Sequence, residues 1–355
     1  MKKKVYVGMS GGVDSSVAAY LLLKQGYEVI GVYMKNWSGE GYGLEDNCPW
    51  EEDIQFVTAV CEKLQIKLKI YNFEREYREA VIEDFFEQYR LGNTPNPDIL
   101  CNKYIKFEAF LNKALDDGAD MIATGHYSKT DLGRLFKAVD TTKDQTYFLS
   151  ALNSIQLSST IFPLGDLTKK EVRQIAHEND LASADRPDSQ GICFIGEVDI
   201  KQFLSMNLTV KQGDIVDIDT GHVVGEHDGV WFYTLGQRRG IGIGGTSQPY
   251  FVVGKDVKTN TLYVGMGRDH PTLWQKQIIV EEVHTISTST DLTKIQDLEA
   301  MIRYRGKLSR TEISPLAENN GRYLLTFSDA QWAPAPGQSV VFYCSNECLG
   351  LAKIV

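Results

Sequence analysis

A short apolar run, a glycine-rich turn and a helical pattern follow one another at the start of the chain. Residues 5–9 (Val-Tyr-Val-Gly-Met) precede 10–16 (Ser-Gly-Gly-Val-Asp-Ser-Ser), and a helical pattern of apolar residues extends to Lys24. Glycine N–H groups and a helix N-terminus together form an anion site, and open α/β sheets bind ligands at the carboxyl ends of their strands. The unit predicts a nucleotide phosphate site. An ordinary strand-to-helix turn capped by Ser10 or Asp14 is the alternative.

The first 195 or so residues alternate strand-like and helix-like patterns. Strand-like runs occur at 5–9, 28–33, 67–72 and 121–124. Residues 51–65 place apolar side chains, including Cys61, on one helical face, and Thr168 with Glu171 forms a capping box for a helix to about Glu178. This alternation predicts a doubly wound, mostly parallel sheet.

The remaining residues show short β-branched and aromatic runs separated by Gly, Asp and Asn. The runs predict strands at 214–219, 230–235, 250–256, 261–265, 277–283, 299–304, 322–327, 339–344 and 349–355. We therefore expect a small, mainly-β central domain followed by a β-barrel domain, with boundaries at 1–197, 198–273 and 274–355. The G-x-G-x-x-G at 240–245 has no helix after it, so it does not indicate a dinucleotide site.

The charge distribution is uneven. The 355-residue chain has a net charge of −10, which argues weakly against a nucleic-acid partner. Two stretches nevertheless carry cations and no acid. They are 301–311, with Arg303, Arg305, Lys307 and Arg310, and 229–255, with Arg238, Arg239 and Lys255. Both are candidates for a phosphate-binding surface, and a solvated strand face is the alternative.

The sequence favours a cytoplasmic protein with reduced thiols. No apolar run approaches the roughly 20 residues of a membrane span. Ser10 and Asp14 interrupt the apolar stretch after Lys2–Lys4, so we expect neither export nor a membrane partner. Six cysteines in such a chain suggest free thiols, and the absence of a C-x-x-C pair argues against structural zinc; no metal ligands are expected.

Two cysteines lie in unusual polar surroundings. Cys101 follows Pro95 and Pro97, which we expect to exclude a helix before one begins at about Lys103. A thiol at a helix N-terminus beside lysines favours the thiolate. Cys193 lies in a second loop containing glycine and proline. A single loop cysteine is more often incidental than catalytic, and we interpret Cys48, Cys344 and Cys348 as structural.

Several local motifs resemble one family. Ser-Gly-Gly-x-Asp-Ser at 10–15 is typical of the PP-loop, or N-type ATP pyrophosphatase, superfamily, whose fold is adenine nucleotide alpha hydrolase-like. The further motifs are 96–98 (Asn-Pro-Asp), 124–127 (Thr-Gly-His-Tyr), 143–145 (Lys-Asp-Gln), 188–195 (Asp-Ser-Gln-Gly-Ile-Cys-Phe-Ile) and 236–240 (Gly-Gln-Arg-Arg-Gly). In order and spacing they resemble the bacterial tRNA-specific 2-thiouridylases over effectively the whole chain.

The resemblance implies three groups of site residues. Cys193 would carry a persulfide, Cys101 would be the nucleophile that forms a disulfide with it, and Asp98 would be a general acid/base. The ATP-binding residues would be Gly8, Met9, Ser10, Gly11, Gly12, Val13, Asp14, Ser15, Met34 and Gly125. Asn96, Pro97 and Asp98 would meet the target base. The tRNA-binding residues would be His126, Lys143, Asp144, Gln145, Tyr304, Arg305 and Gln338, and Arg238 and Arg239 would hold the tRNA backbone.

The same resemblance implies the reaction. ATP, with Mg²⁺, would adenylate the C2 oxygen of the wobble uridine at tRNA position 34 and release pyrophosphate. Sulfur from the Cys193 persulfide, or hydrosulfide freed by Cys101, would then displace AMP. The partners would be tRNAs of the Lys, Glu and Gln type and a persulfide donor, either a cysteine desulfurase or a relay carrier. We expect a monomer.

Two other functions stay open on sequence grounds. A PP-loop ligase or amidotransferase acting on a small metabolite explains the loop but not the two cysteines. A non-catalytic tRNA-binding sulfur carrier explains the cysteines but not the loop. Residues 37–50 are rich in glycine and suggest a mobile loop over the nucleotide site.

Overall fold

The computed structural model describes residues 2–39, 50–188, 200–245, 247–316 and 321–355. Its strands are β1 Lys4–Met9, β2 Glu28–Lys35, β3 Lys67–Asn72, β4 Met121–Ala123, β5 Ser128–Asp131, β6 Arg134–Lys137, β7 Thr160–Ile161, β8 Gly213–Asp217, β9 Val223–His227, β10 Tyr250–Asp256, β11 Thr261–Met266, β12 Trp274–Thr285, β13 Leu298–Met301, β14 Ser309–Pro315, β15 Tyr323–Trp332, β16 Ser339–Cys344 and β17 Glu347–Ile354.

The α-helices surround the first sheet. They are α1 Val13–Lys24, α2 Trp50–Leu64, α3 Glu74–Tyr77, α4 Glu83–Arg90, α5 Pro97–Leu100, α6 Phe110–Asp116, α7 Thr146–Leu149, α8 Ser154–Ser158, α9 Lys169–Glu178 and α10 Ile200–Ser205. Two π-helical segments, Arg78–Ile82 and Cys101–Ala109, join α3 to α4 and α5 to α6. None of the described helices has both the length and the apolar character needed to cross a bilayer.

The first sheet is parallel and contains five strands in the order β3-β2-β1-β4-β7. Its two central neighbours, β1 and β2, are buried along almost their whole length, as a sheet covered by helices on both faces requires. The predicted helix at 51–65 is confirmed as α2. The predicted capping box is also confirmed, because Thr168 and Glu171 bond each other's backbone N–H groups at the start of α9.

Residues 274–354 form a closed barrel. Six strands pair in the order β12-β15-β14-β13-β16-β17, and pairing of β12 with β17 completes the ring. The β5–β6 hairpin, which belongs to the first 195 residues, adds to the outside of β17 through Cys348 and Leu135. Val341, Tyr343 and Cys348 share one hydrophobic cluster with Cys101. The barrel is therefore fused to the parallel-sheet unit by both strand pairing and core packing.

The central unit has a four-stranded sheet in the order β10-β11-β8-β9. The predicted fold class, a doubly wound parallel sheet followed by a mainly-β domain and a barrel, is confirmed. The predicted strand at 230–235 is wrong, because Val230–Phe232 forms a 3-10 turn. That turn is fixed by side chains distant in sequence: Asn260 accepts the Val230 N–H, and His227 accepts the Gly229 N–H.

Candidate functional site

The turn between β1 and α1 has the geometry of an anion site. Gly11 has φ +77°, and a Cβ there would lie 2.6 Å from the Arg186 guanidinium. Gly12 is the N-cap of α1 and has no side chain to bond the first N–H groups. Ser15 and Ser16 instead donate their hydroxyls to the Gly12 carbonyl, at 3.1 and 2.9 Å. The helix amides therefore face the turn without an N-cap side chain over them, as an anion site requires.

The neighbouring strand ends approach this turn closely. A Cβ on Gly125, just after β4, would lie 2.7 Å from the Asp14 carbonyl carbon and the Ser15 nitrogen. A Cβ on Gly8, in β1, would lie 3.1 Å from the Met34 methyl carbon at the end of β2. The structure thus brings Gly8, Met34 and Gly125 together with the loop, at the carboxyl ends of three adjacent strands.

A network of charged side chains borders the loop. The Lys169 ammonium lies 2.8 Å from both carboxylate oxygens of Asp14 and 2.9 Å from Asp188. Asp188 also pairs with Arg173 at 2.7 Å and Lys143 at 2.6 Å. Burial opposes ionisation of Asp188, but hydrogen bonds from Lys143 and Lys169 hold its pKa well below the usual value. Three cations and two carboxylates are therefore concentrated at the predicted phosphate site.

Sequence reasoning missed Lys169 and Arg173. Lys169 is the first residue of α9, where the helix dipole disfavours a cation. A lysine at a helix N-terminus therefore indicates that an anion lies nearby to compensate its charge. Here that anion is Asp14. Tyr127 also donates its hydroxyl to Asp14 at 2.8 Å, and burial followed by the neighbouring Asp14 charge raises the pKa of Tyr127.

The segment 96–101 begins a helix. Asn96 is the N-cap of α5 and accepts the Ile99 N–H, and Pro97 occupies the first turn. The expectation that these prolines exclude a helix until Lys103 is wrong, because a proline at the first helical position sacrifices no hydrogen bond. Cys101 consequently lies about one turn inside the helix, and its side chain is 0% exposed. Asp98 is half-buried in the first turn.

Cys193 and Cys48 lie outside the described residues, as does the stretch 40–49 of the predicted loop at 37–50. The pairing of Cys101 with Cys193 therefore stays a prediction. Cys61 and Cys348 are buried in hydrophobic clusters, and burial raises the pKa of the Cys61 thiol to about 11.

The predicted tRNA contacts near the parallel sheet make internal contacts. Asp144 accepts the Ala138 N–H at 3.0 Å and the Thr146 hydroxyl at 2.6 Å. Gln145 accepts the Tyr127 N–H through its side chain and donates its own N–H to the Tyr127 carbonyl, both at 2.9 Å. These two side chains shape the segment that presents Lys143.

His126 is half-buried among aromatic rings. Its ring lies 5.8 Å from Phe107 and 6.1 Å from Phe162, and its Nδ1 is 2.8 Å from the Thr124 hydroxyl. Burial, reinforced by the charge of Lys106, lowers the pKa of His126 well below 6.5. It is therefore a neutral ring near pH 7.

The basic stretch 301–311 is largely neutralised. Lys307 pairs with Asp329 at 3.0 Å, and Arg310 pairs with Asp297 at 2.9 Å. Arg303 turns inward and donates to the carbonyls of Trp332 and Ala333. Asp329 lies in β15 and Asp297 in the turn before β13, so the stretch itself could not show them.

Five predicted tRNA contacts remain, two in that stretch, two in the central unit and one, Gln338, before β16 of the barrel. Tyr304 lies 4.4 Å from Phe148, ring centre to ring centre, and the exposed Arg305 lies over Tyr304 at 5.1 Å. Arg238 and Arg239 are exposed. Gln338 donates its side-chain amide to the carbonyls of Thr94 and Pro95, at 2.8 and 3.2 Å.

Matches to models of known protein families identify the class of protein to which each part of the chain belongs. Residues 3–197 match a family model described as a tRNA methyl transferase HUP domain. Residues 201–266 match a tRNA methyl transferase PRC-barrel domain, and 275–354 an aminomethyltransferase beta-barrel domain. Together the three models span nearly the whole chain.

Curated relatives then specify the family. A tRNA-specific 2-thiouridylase MnmA of Legionella pneumophila (strain Lens) is 49% identical, over 100% of this chain and 99% of the relative. One of Enterococcus faecalis (strain ATCC 700802 / V583) is 47% identical, over 98% of this chain and 94% of the relative. The chain belongs to the tRNA-specific 2-thiouridylase family.

A solved structure of NMN synthetase from Francisella tularensis shows a weaker likeness. It is 19% identical with a TM-score of 0.36, and the match covers 58% of this chain and 82% of that one. A likeness at this level carries no argument about function.

Proposed function

We propose that this chain catalyses ATP-dependent 2-thiolation of the wobble uridine of tRNA. The observation that carries the proposal is full-length similarity to tRNA-specific 2-thiouridylases in a chain whose phosphate-binding turn is fully formed. We assign ATP binding to this turn, and we assign the transfer of sulfur to the uridine to Asp98, Cys101 and Cys193.

ATP would place its phosphates at the N-terminus of α1. The loop amides would bind phosphate oxygens, and Lys169 would contribute a positive charge that Asp14 now neutralises. This arrangement also fits Mg²⁺. The ion commonly uses one or two carboxylates together with substrate phosphates, and Asp14 is the carboxylate on the loop. Bound Mg²⁺ would neutralise phosphate charge.

The chemical steps follow from the poor reactivity of a uracil carbonyl. Attack of its C2 oxygen on the α-phosphate would release pyrophosphate and convert that oxygen into a phosphate leaving group. The terminal sulfur of a Cys193 persulfide would attack C2 and expel AMP. Attack of the Cys101 thiolate on the Cys193 sulfur would release the thiolated base and leave a Cys101–Cys193 disulfide, which an external thiol would reduce. Direct attack by freed hydrosulfide is the alternative second step.

The target base would enter beside the segment 96–98. Asp98 would act as general acid/base, and the buried position of Cys101 would protect its thiol until the base is in place.

Phe148 and Tyr304 offer aromatic faces for unstacked bases of the anticodon loop, while Arg305, Arg238 and Arg239 would bind the RNA backbone. Lys143 and His126 would contact RNA near the nucleotide site. The sulfur would come from a persulfide donor protein.

The proposal is tested by the dependence of AMP formation on tRNA. The full chain would be incubated with ATP, Mg²⁺, sulfide and unmodified tRNA of the Lys, Glu or Gln type, with and without the RNA. AMP and pyrophosphate that appear only with tRNA support the proposal. AMP formation that ignores tRNA would favour a small-metabolite ligase, and no AMP at all would favour a non-catalytic sulfur carrier.

A further inference from the structure

The loop that leads into the target-base segment is held by the C-terminal barrel. Gln338 donates its amide to the carbonyls of Thr94 and Pro95, at 2.8 and 3.2 Å. The Thr94 N–H donates in return to the Pro336 carbonyl at 2.8 Å. Three hydrogen bonds therefore join the turn 335–338 to the two residues just before Asn96.

Steric fit reinforces these hydrogen bonds. Gly337 has φ +86°, and a Cβ there would lie 2.7 Å from the Asn93 Cβ and 3.0 Å from the Thr94 nitrogen. Only a glycine lets the turn approach this closely. The turn and the loop thus make contact along backbone atoms, which cannot move aside by changing a rotamer.

The central unit contacts the other side of the same loop. Thr234 accepts the Thr94 hydroxyl at 3.3 Å, and a Cβ on Gly92 would lie 2.5 Å from a methyl group of Val257. The barrel also comes close to the target-base segment itself. Ser339, the residue after the turn, lines the same pocket as Asn96 and accepts the Tyr147 hydroxyl at 2.9 Å. Loop 92–96 is consequently fixed between both β units.

We propose that Gln338 and the turn 335–338 are positioning elements for the target-base segment, acting through Thr94 and Pro95. The proposal rests on the proposed function, because the segment 96–98 is assigned there to the target base. It differs from the expected role of Gln338 as a direct tRNA contact. Its amide nitrogen donates to both carbonyls of the loop, so the donors of this side chain are already used inside the protein.

Two variants disturb this junction in different ways. Gln338→Met keeps the length of the side chain and removes its donors without adding charge. Gly337→Ala keeps Gln338 and pushes on the loop. Gly321→Ala is the matched control for the second, because Gly321 also has φ +73° but a Cβ there would meet no atom of the described residues within 4 Å. Gln277→Ala, on exposed β12, is the control for the first.

Three quantities are measured on the full chain: the dissociation constant for tRNA, the single-turnover thiolation rate at saturating tRNA, and amide hydrogen exchange over 92–100. Both junction variants are expected to lower the rate about ten- to a hundredfold, since small misplacement of a reacting group has effects of that size. They should speed exchange in 92–100 and leave tRNA affinity within about twofold. The controls should match the wild type in all three.

A direct tRNA contact predicts the reverse pattern. Weaker tRNA binding by Gln338→Met, with unchanged rate at saturation and unchanged exchange, would overturn the positioning role, and so would no effect on any of the three. If the wild type makes no thiolated product, the proposed function fails. In that case, amide hydrogen exchange over 92–100 still shows whether the turn 335–338 holds the loop 92–96 in place.

Discussion

The Lys169 ammonium lies 2.8 Å from both carboxylate oxygens of Asp14, the acidic residue of the glycine-rich turn after β1. The Lys169 side chain is only 13% exposed and that of Asp14 33%, so the lysine is largely withdrawn from solvent. The positive charge of Lys169 therefore lies next to the loop, paired with Asp14, before any nucleotide binds. In the proposed function, ATP phosphates would bind Lys169 and Mg²⁺ would bind Asp14, so the two side chains would no longer pair with each other.

Replacing this lysine should impair use of ATP. Lys169→Gln removes the charge, and we expect AMP formation to fall about a hundredfold, the size seen when one preorganised electrostatic group is lost. Affinity for tRNA should be unchanged. The control is Lys170→Gln, at the adjacent exposed position of α9. Equal rates of AMP formation in the two variants would show that Lys169 has only a structural role.

The approach of β4 to the loop makes a second prediction. Gly125→Ala would place a Cβ 2.7 Å from backbone atoms of Asp14 and Ser15, which only a shift of the backbone can relieve. We expect a loss of about 1–3 kcal/mol in the free energy of unfolding, typical of overpacking, together with weaker binding of an ATP analogue. Urea denaturation and a binding titration measure the two effects.

Gly244→Ala is the control for that substitution, because a Cβ at Gly244 would meet nothing within 4 Å in the part of the chain that the structure describes. Identical behaviour of the two alanine variants would mean that β4 does not pack against the loop as described.

Much of the fold could be predicted because its signals are local. Strands 250–256 and 339–344 are confirmed as β10 and β16 with the expected bounds, since alternation of side chains within one strand suffices to find them. The capping box at Thr168 is likewise a four-residue signal. The added hairpin β5–β6 could not be found this way, because Leu135 pairs with Cys348, more than two hundred positions later.

The site residues also divide into those that a local motif reveals and those that only contacts between distant residues reveal. The glycine-rich turn at 10–16 is contiguous in sequence, so its residues can be predicted from the sequence alone. The partners of its charges cannot, because Asp14 meets Lys169 only after α1 and α9 pack together. The acid that pairs with Lys307 is similarly brought in from another strand, because Asp329 lies in β15. Pairing between distant residues requires the folded structure.

Titration of His126 should make stability depend on pH. Burial lowers its pKa well below 6.5, so below about pH 6.5 the unfolded chain takes up a proton that the folded chain does not. The free energy of unfolding should therefore fall as pH decreases from 7 to 5. His126→Gln should reduce that slope by at most about 1.4 kcal/mol per pH unit.

Chemical denaturation at three pH values between 5 and 7 measures this slope. His222→Gln serves as the control, because His222 lies on the exposed surface of the central unit. The wild-type slope retained in His126→Gln would contradict the buried, neutral state of this histidine. Burial also lowers the pKa of His227, so part of the slope should remain in every variant.

The predicted role of Cys193 in carrying sulfur can be tested separately from tRNA binding. Cys193→Ser should abolish transfer of sulfur from a persulfide donor protein and leave tRNA binding intact, because serine cannot carry a persulfide. Cys344→Ser, in the barrel strand β16, is the matched control. Thiolation by Cys193→Ser with a persulfide donor would remove Cys193 from the reaction.

The central claim, thiolation of the wobble uridine driven by ATP, is tested most directly by mass spectrometry of tRNA nucleosides. Unmodified tRNA would be treated with the wild-type chain, ATP, Mg²⁺ and a sulfur source, then digested with a base-specific nuclease and sequenced by mass. We predict a gain equal to the replacement of one oxygen by sulfur, located at the wobble uridine and absent without ATP. An unchanged wobble uridine, or sulfur at another position, would contradict the account.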